Sequence, residues 1–183
     1  MNRSSTAEAP TVRHADLTAA PQSTDHAPSG TQFKDIFRTH PAGVALVTTA
    51  DESGPVGLTL SSVASVSPDP PALSFSLTSA RGSAAGILHA ATFVVHLLDE
   101  QHAGLAGTFA RSGAARFTPE QGWSVLPTGE PYLPSARWAL RCAPIQTVAV
   151  GPSELVIAQV LQVHQGPAGR PLIYHDREFR TLP

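Results

Sequence analysis

The spacing of apolar residues divides the chain near residue 32. Residues 1–32 are rich in Ser, Thr, Ala and Pro, carry scattered charge and show no periodic apolar pattern. A segment of this composition cannot bury enough apolar surface to offset the entropy lost on ordering, so we predict a disordered tail. The alternative is an arm that packs on a partner subunit. From Phe33 to residue 183 apolar positions recur regularly, which predicts one folded domain.

Short apolar runs and alternation predict strands through most of that domain. Phe33, Ile36 and Phe37 share one face of a first helix that must end near Pro41. Further helices are predicted at 83–91 and after Asp99, and strands at 42–49, 56–67, 72–77, 92–98, 138–150, 153–165 and 171–175. About six or seven strands joined mostly by tight turns favour a mainly-β fold, an antiparallel barrel with two or three short helices. A parallel βαβ arrangement is the alternative, but most connections are too short for crossover helices.

Composition and charge exclude several classes of protein. The net charge is −2 with 12 Lys and Arg residues, so no basic surface for nucleic acid is expected. No apolar run reaches the roughly 18 residues of a membrane span, and the tail lacks the apolar stretch of a secretory signal. We therefore expect a cytoplasmic protein with no nucleic-acid or membrane partner. The single cysteine, Cys142, excludes an internal disulfide and a multi-cysteine zinc site.

Common catalytic motifs are missing from the sequence. It contains no G-x-G-x-x-G after a strand, no phosphate-binding G-x-x-x-x-G-K-[ST] and no G-x-S-x-G. The eight His residues are scattered, which does not favour a metal site. Cys142 falls in a predicted strand away from the polar segments, so thiol chemistry is not expected. Any chemistry must therefore come from two segments rich in hydroxyl groups.

The first polar segment is a strand that carries Thr59, Ser61, Ser62 and Ser65. Its backbone groups and hydroxyls could bind the polar edge of a planar heterocycle. The alternative is an ordinary strand whose polar residues face solvent.

The second polar segment, with Ser79, Arg81 and Ser83, joins a predicted strand to a predicted helix. Free N–H groups at the helix start, the forked donors of Arg81 and the two hydroxyls would together suit a monophosphate. The alternative is a helix capped by Ser83 with a surface arginine beside it.

The order of segments resembles the flavin reductase family. The resemblance covers residues 33–182 and is carried by FRTHPAGVALVTT, GLTLSSVASVSPDPPALSFSL, SARGSAAGILHAATFVVHLLDEQHAGLAGTFA and PLIYHDREF. Members are small NAD(P)H:flavin oxidoreductases, often the reductase partners of two-component monooxygenases. The resemblance implies a Greek-key split β-barrel, FMN or FAD as the flavin, and NADH or NADPH as co-substrate. It also implies a homodimer and a separate oxygenase that receives diffusing reduced flavin.

The resemblance also implies roles for individual residues. The flavin ring would contact Pro41, Ala42, Gly43, Val44, Leu58, Thr59, Leu60, Ser61, Ser62 and Ser65. The phosphate would lie on the loop of Ser79, Arg81 and Ser83. His175 would position the nicotinamide. Phe109, Ala110 and Arg177 would lie near the cofactor, and Arg170 or Arg177 could meet a 2′-phosphate.

The chain departs from the family pattern at a few positions. The family usually has Asn where this chain has His96, and His96 is either a cofactor contact or a packed strand histidine. Ser or Thr is usual at Ala80 or Arg81, and an acid is frequent at Ala85. The cofactors themselves carry out hydride transfer, so no nucleophile or acid–base pair is required. The alternatives are a flavin-binding module without fast NAD(P)H turnover, or a flavin-dependent oxidase or oxygenase on the same barrel.

Overall fold

The computed structural model describes residues 13–16, 28–78 and 81–182. The α-helices are α1 (Gly30–Arg38), α2 (Ser83–His89) and α3 (Ala103–Ala110), and two 3₁₀ turns span Glu100–His102 and Pro119–Gln121. The strands are β1 (Arg13–Asp16), β2 (Ala42–Gly43), β3 (Ala45–Asp51), β4 (Gly54–Leu60), β5 (Ala64–Pro68), β6 (Pro71–Leu77), β7 (Phe93–Leu97), β8 (Ser124–Val125), β9 (Pro131–Tyr132), β10 (Trp138–Val150), β11 (Ser153–Gln165), β12 (Leu172–His175) and β13 (Glu178–Thr181). None of the described helices is long and apolar enough to cross a membrane.

The main sheet has the strand order β4-β3-β7-β10-β11-β6-β5, and each pair along this path is antiparallel. The predicted mainly-β, antiparallel fold is thereby confirmed. Strand β1 adds to β10 in parallel and falls within the segment predicted to be disordered. The rest of residues 1–27 lies outside the described residues, and the domain boundary at residue 32 stays a prediction.

The long hairpin of β10 and β11 has the bounds that alternation predicts. Its turn contains Gly151 at φ 56°, a left-handed conformation that glycine adopts without a steric penalty. The pairing register shifts between Arg141 and Cys142, and again between Pro144 and Gln146. Irregularities of this kind bend a strand and increase its twist, which helps the sheet to curl around its core.

The interior of the curled sheet is filled by aliphatic and aromatic side chains from β3, β4, β6, β7, β10, β11 and α2. Phe75 and Phe93 meet edge to face with ring centroids 5.4 Å apart. Cys142 is fully buried among them, and this burial raises the pKa of its thiol to about 12. The thiol is therefore un-ionised at neutral pH.

A small second sheet of β13, β12 and β2 lies against the main sheet. Three backbone hydrogen bonds tie the two sheets together: Val44 N–H donates to Leu172 O (3.0 Å), Leu172 N–H to Leu98 O (3.1 Å) and Leu98 N–H to Val44 O (3.1 Å). The side chains of these three residues are buried in a second apolar cluster. This junction holds β12 beside β2 and so shapes the groove described below.

Some predicted elements differ from the structure. The predicted strand 42–49 is divided between the two sheets as β2 and β3, and the predicted strand 56–67 is interrupted after Leu60. The hairpin partner β13 was not predicted; its turn places Asp176 and Arg177 at positive φ (50° and 65°), which sequence patterning does not reveal. Helix α1 begins at Gly30 because Ser29 and Gln32 form a capping box.

Candidate functional site

A groove runs between β2, the end of β4 and β12. Two adjoining cavities of about 280 and 670 Å³ form it, and Ser61 and Tyr174 line both. The smaller is lined by Val44, Thr59, Leu60, Ser61, Ala110, Tyr174, Arg177 and Phe179. The larger is lined mainly by α1, by 40–43, by 61–64 and by Ser76 and Tyr174. Their sizes are those of small-molecule sites.

The structure brings most of the predicted ring-contact residues together in this groove. The predicted residues that line it are Pro41, Ala42, Gly43, Val44, Thr59, Leu60, Ser61, Ser62, Ala110 and Arg177. Strand β4 is terminal in the main sheet, so one edge of its backbone has no neighbouring strand there. Unpaired backbone N–H and C=O groups beside a groove can bind the polar edge of a heterocycle.

Other predicted residues lie elsewhere. Leu58 packs against the barrel core, Ser65 is exposed on β5, and Phe109 is buried in the second apolar cluster. Arg170 pairs with Glu100 (Nε to Oε2, 2.9 Å) and does not line the groove. Ser79 lies outside the described residues.

The three hydroxyls predicted to bind a ring differ in availability. Thr59 Oγ1 donates to Ala106 O at 2.7 Å, which fixes α3 against β4. Ser62 Oγ donates to Ser76 O (3.2 Å) and accepts from Ser76 N–H (3.0 Å). Ser61 is exposed and makes no side-chain hydrogen bond to the described residues. Among these hydroxyls, Ser61 is the one free to donate to a ligand.

On strand β12 it is Tyr174, and not His175, that lines the groove. Successive side chains of a strand point to opposite faces, so the two residues cannot share the groove side. Tyr174 packs against Phe179 of β13, with ring centroids 5.4 Å apart. Sequence reasoning missed Tyr174 because only the pairing of β12 with β2 and β13 fixes which side chain faces the groove. The nicotinamide role of His175 stays a prediction.

His96 is a packed strand histidine, which corrects its assignment as a cofactor contact. Its side chain is 0% exposed. Nδ1 lies 3.2 Å from Leu46 O, and Nε2 accepts from Leu133 N–H at 3.1 Å. Nδ1 therefore carries the proton and donates it. Burial, as the largest cause, lowers the pKa of His96 to about 4, so the ring is neutral at physiological pH.

Arg116 reaches the second polar segment from an irregular loop. Its Nη1 donates to Ser83 Oγ (3.0 Å) and to Gly57 O (2.9 Å), while its buried Nε has no hydrogen-bond partner in the described part of the chain. The predicted capping role of Ser83 is wrong: Gly82 occupies the N-cap position and α2 begins at Ser83. Arg81 is exposed at this loop. Arg116 was missed because residues 111–136 show no periodic pattern.

Titratable side chains suited to metal binding do not cluster here. Among the described residues, no group of three or more His, Cys, Asp or Glu side chains is close enough to hold a metal ion. The groove instead offers apolar walls, backbone groups, the hydroxyl of Ser61 and arginines at its rim.

Comparison with known proteins agrees with this arrangement. A family model described as a flavin reductase like domain matches residues 37–183. The chain is 40% identical over 156 residues to an NADH:FMN oxidoreductase of Rhodococcus qingshengii (82% of this chain, 81% of the relative). It is 30% identical over 154 residues to the reductase component of 4-nitrophenol 4-monooxygenase/4-nitrocatechol 2-monooxygenase from Rhodococcus opacus (81% and 78%).

A solved structure extends the comparison to the fold. A flavin reductase domain protein from Arthrobacter sp. FB24 superposes with a TM-score of 0.78 at 30% identity, covering 84% of this chain and 95% of that one. The predicted split-barrel fold is thus confirmed, and it carries the groove between its two sheets. The matched domain model, the sequence relatives and the shared fold all agree, and this chain belongs to the flavin reductase family.

Proposed function

We propose that this protein is an NAD(P)H-dependent flavin reductase that transfers hydride from nicotinamide to FMN or FAD. Reduced flavin then passes to a separate monooxygenase. The observation that carries the proposal is a groove bordered by the free edge of β4, in a chain of this family. The Rhodococcus qingshengii relative is named for NADH and FMN, and the Rhodococcus opacus relative is the reductase component of a monooxygenase. A cytoplasmic location stays a prediction.

The groove residues suit a flavin. Isoalloxazine is flat and apolar on its faces and polar along one edge. Val44, Leu60 and Phe179 offer apolar surface, while Ser61 and the free edge of β4 offer hydrogen bonds. The orphaned Nε of Arg116, on a guanidinium already bonded to Ser83, supports an anionic ligand group near the second polar segment.

The chain contributes binding and orientation. Bound flavin and nicotinamide supply the hydride chemistry themselves. Thr59 anchors α3 to β4 and keeps the groove wall rigid, which suits a reaction that depends on close stacking. Tyr174, 37% exposed between the two cavities, can cover a ring bound in either of them. We keep His175 and Arg177 as candidates for contacts to the nicotinamide nucleotide.

One assay tests the activity. Purified protein is mixed with NADH or NADPH and with FMN, FAD or riboflavin, and nicotinamide oxidation is followed by absorbance under anaerobic and aerobic conditions. We expect rapid oxidation with at least one pair. A protein that binds flavin but does not oxidise either nucleotide would be a binding module instead.

The free hydroxyl of Ser61 gives a sharper prediction. Ser61→Ala is expected to raise the KM for flavin about 2- to 13-fold, because one hydrogen bond contributes about 0.5–1.5 kcal/mol, and to leave folding stability unchanged. The matched control is Ser65→Ala, an exposed serine of β5 that does not line the groove. Equal flavin KM values in the two variants would remove Ser61 from the binding site.

We also propose that the protein is a homodimer. Helix α1 buries none of its side chains in the protomer, and Phe33, Ile36 and Phe37 are 55%, 63% and 56% exposed. Phe33 and Phe37 also line the larger cavity, so a second copy seated on α1 would close the groove. Phe37→Asp is expected to halve the mass measured by light scattering, whereas Lys34→Asp on the same helix leaves it unchanged. A wild-type monomer would contradict the proposal.

A further inference from the structure

A serine, a histidine and an aspartate that do not line the groove are connected in series by hydrogen bonds. His102 Nδ1 is 2.7 Å from Asp99 Oδ1, and His102 Nε2 is 3.0 Å from Ser135 Oγ. Asp99 N–H is 3.5 Å from the same Nδ1, too far to compete with the carboxylate. Nδ1 therefore carries the proton, and Nε2 is left to accept one from Ser135.

The surroundings hold this arrangement rigidly. Asp99 is 1% exposed, and Gln101 donates to its two oxygens through the backbone N–H (3.1 Å) and the side-chain amide (3.2 Å). A Cβ on Gly169 would lie 2.5 Å from Asp99 Oδ2, so the bare glycine backbone lies against the carboxylate. A Cβ on Gly166 would lie 2.1 Å from Ala136 O, so this chain segment also packs tightly on the loop that carries Ser135.

Helix capping explains only half of these contacts. Asp99 caps the 3₁₀ turn Glu100–His102 through its carboxylate, which accepts from Gln101 N–H. The contact from His102 Nε2 to Ser135 joins residues 33 positions apart and plays no part in the cap. The geometry matches a nucleophile, a base and an orienting carboxylate.

We propose that Ser135 is a nucleophilic serine, activated by His102 and Asp99, that accepts the acyl group of short activated esters. Ser135 is half-buried and borders two cavities of about 320 and 300 Å³. The larger is lined by Gln101, His102, Leu105, Thr108, Gln121 and Ser135, one apolar side chain among polar ones. This lining suits a short acyl chain whose carbonyl is polarised by a side-chain amide.

Gln121 has an amide hydrogen for that purpose. Its Nε2 donates one hydrogen to Ala115 O at 3.2 Å, and an amide nitrogen carries two. Burial lowers the pKa of His102 more than the Asp99 carboxylate raises it. The imidazole is therefore neutral at pH 7 and able to act as a base.

The reaction balances with water as the only co-reactant. Ser135 Oγ attacks the ester carbonyl carbon while its proton passes to His102 Nε2. The tetrahedral adduct expels the alcohol oxygen, which takes that proton, and an acyl-serine forms. Water then attacks the acyl carbon with the same proton transfers, and releases the carboxylic acid and free serine.

The test uses the full chain with 4-nitrophenyl acetate and with a fluorophosphonate probe. We expect nitrophenolate release that rises with pH through the titration of His102, and one label on Ser135 located by peptide mass analysis. Ser135→Ala is expected to abolish that label. The single variants Ser135→Ala and His102→Gln are each expected to lower the release rate about 100-fold. The control variant Ser124→Ala replaces an exposed serine that has no histidine partner among the described residues, and it keeps the wild-type rate.

The outcomes separate this site from the groove. If Ser135→Ala reduces flavin at the wild-type rate, its fold is intact. If neither the wild type nor any variant reduces flavin, that result contradicts the proposed reductase function and not the proposal for Ser135. Labelling of Ser135→Ala equal to wild type, or a wild-type release rate no higher than that of Ser135→Ala, overturns the proposal and leaves these residues as a helix cap.

Discussion

Replacing Arg141 with Met is expected to lower the free energy of unfolding by about 3–5 kcal/mol at neutral pH. Arg141 Nε is 2.8 Å from Glu130 Oε1, and the Glu130 side chain is only 4% exposed. The hydroxyls of Thr92 and Thr128 also donate to this carboxylate. Without the guanidinium those donors remain, but the buried negative charge has no counterion.

The pH dependence of this loss follows from Glu130. Burial alone raises its pKa, but the two threonine hydroxyls and Arg141 outweigh burial, so the pKa of Glu130 lies below its ordinary value. A depressed carboxyl pKa stabilises the folded state above the unfolded value of about 4.3, and this contribution is lost as the pH falls through the folded pKa. In Arg141→Met the carboxyl is protonated more easily, so the two proteins should differ less at acidic pH.

Urea unfolding between neutral and acidic pH measures both effects. The control is the double variant Glu130→Gln with Arg141→Met, which removes both charges and should recover most of the lost stability. If the single variant were as stable as wild type at neutral pH, the pair would be a solvated surface contact and not a buried one.

His96 gives the second large effect. Its pKa of about 4 in the folded protein compares with about 6.5 in an unfolded chain, because burial opposes the charged ring and Leu133 N–H points at Nε2. Between the two pKa values the unfolded chain binds more protons than the folded chain. The contribution of His96 to the free energy of unfolding is therefore fully present above pH 6.5 and falls as the pH is lowered towards 4. The expected loss is about 3 kcal/mol, at 1.36 kcal/mol for each unit of pKa difference.

A non-titrating replacement isolates this contribution. The amide of His96→Gln offers a donor for Leu46 O and an acceptor for Leu133 N–H but takes up no proton in this range. Subtracting its unfolding free energies from those of wild type at each pH leaves the contribution of His96. A difference that stays flat between pH 6.5 and 4 would mean that the ring is protonated as easily in the fold as in the unfolded chain.

The parts of the fold that sequence predicts are those fixed by local pattern. Alternation and the Gly151–Pro152 turn predict β10 and β11 with their observed bounds. Family resemblance, and not periodicity, predicts that the segments around Ala42 and Ser61 meet at one site. Tyr174 and Arg116 were missed because their roles depend on strand pairing and on a loop whose path follows long-range contacts. The same limit applies to Ser135 and His102, which are far apart along the chain.

Cys142 is a natural probe of local opening in the barrel. It is the only cysteine, it is 0% exposed in β10, and burial keeps its thiol un-ionised at neutral pH. Thiolates react with alkylating and disulfide reagents, so modification requires β10 to open to solvent. The rate of labelling, compared with that of an unfolded chain, therefore gives the equilibrium for that opening without any engineered probe. Repeating the measurement with flavin would show how much a bound ligand reduces the opening of β10.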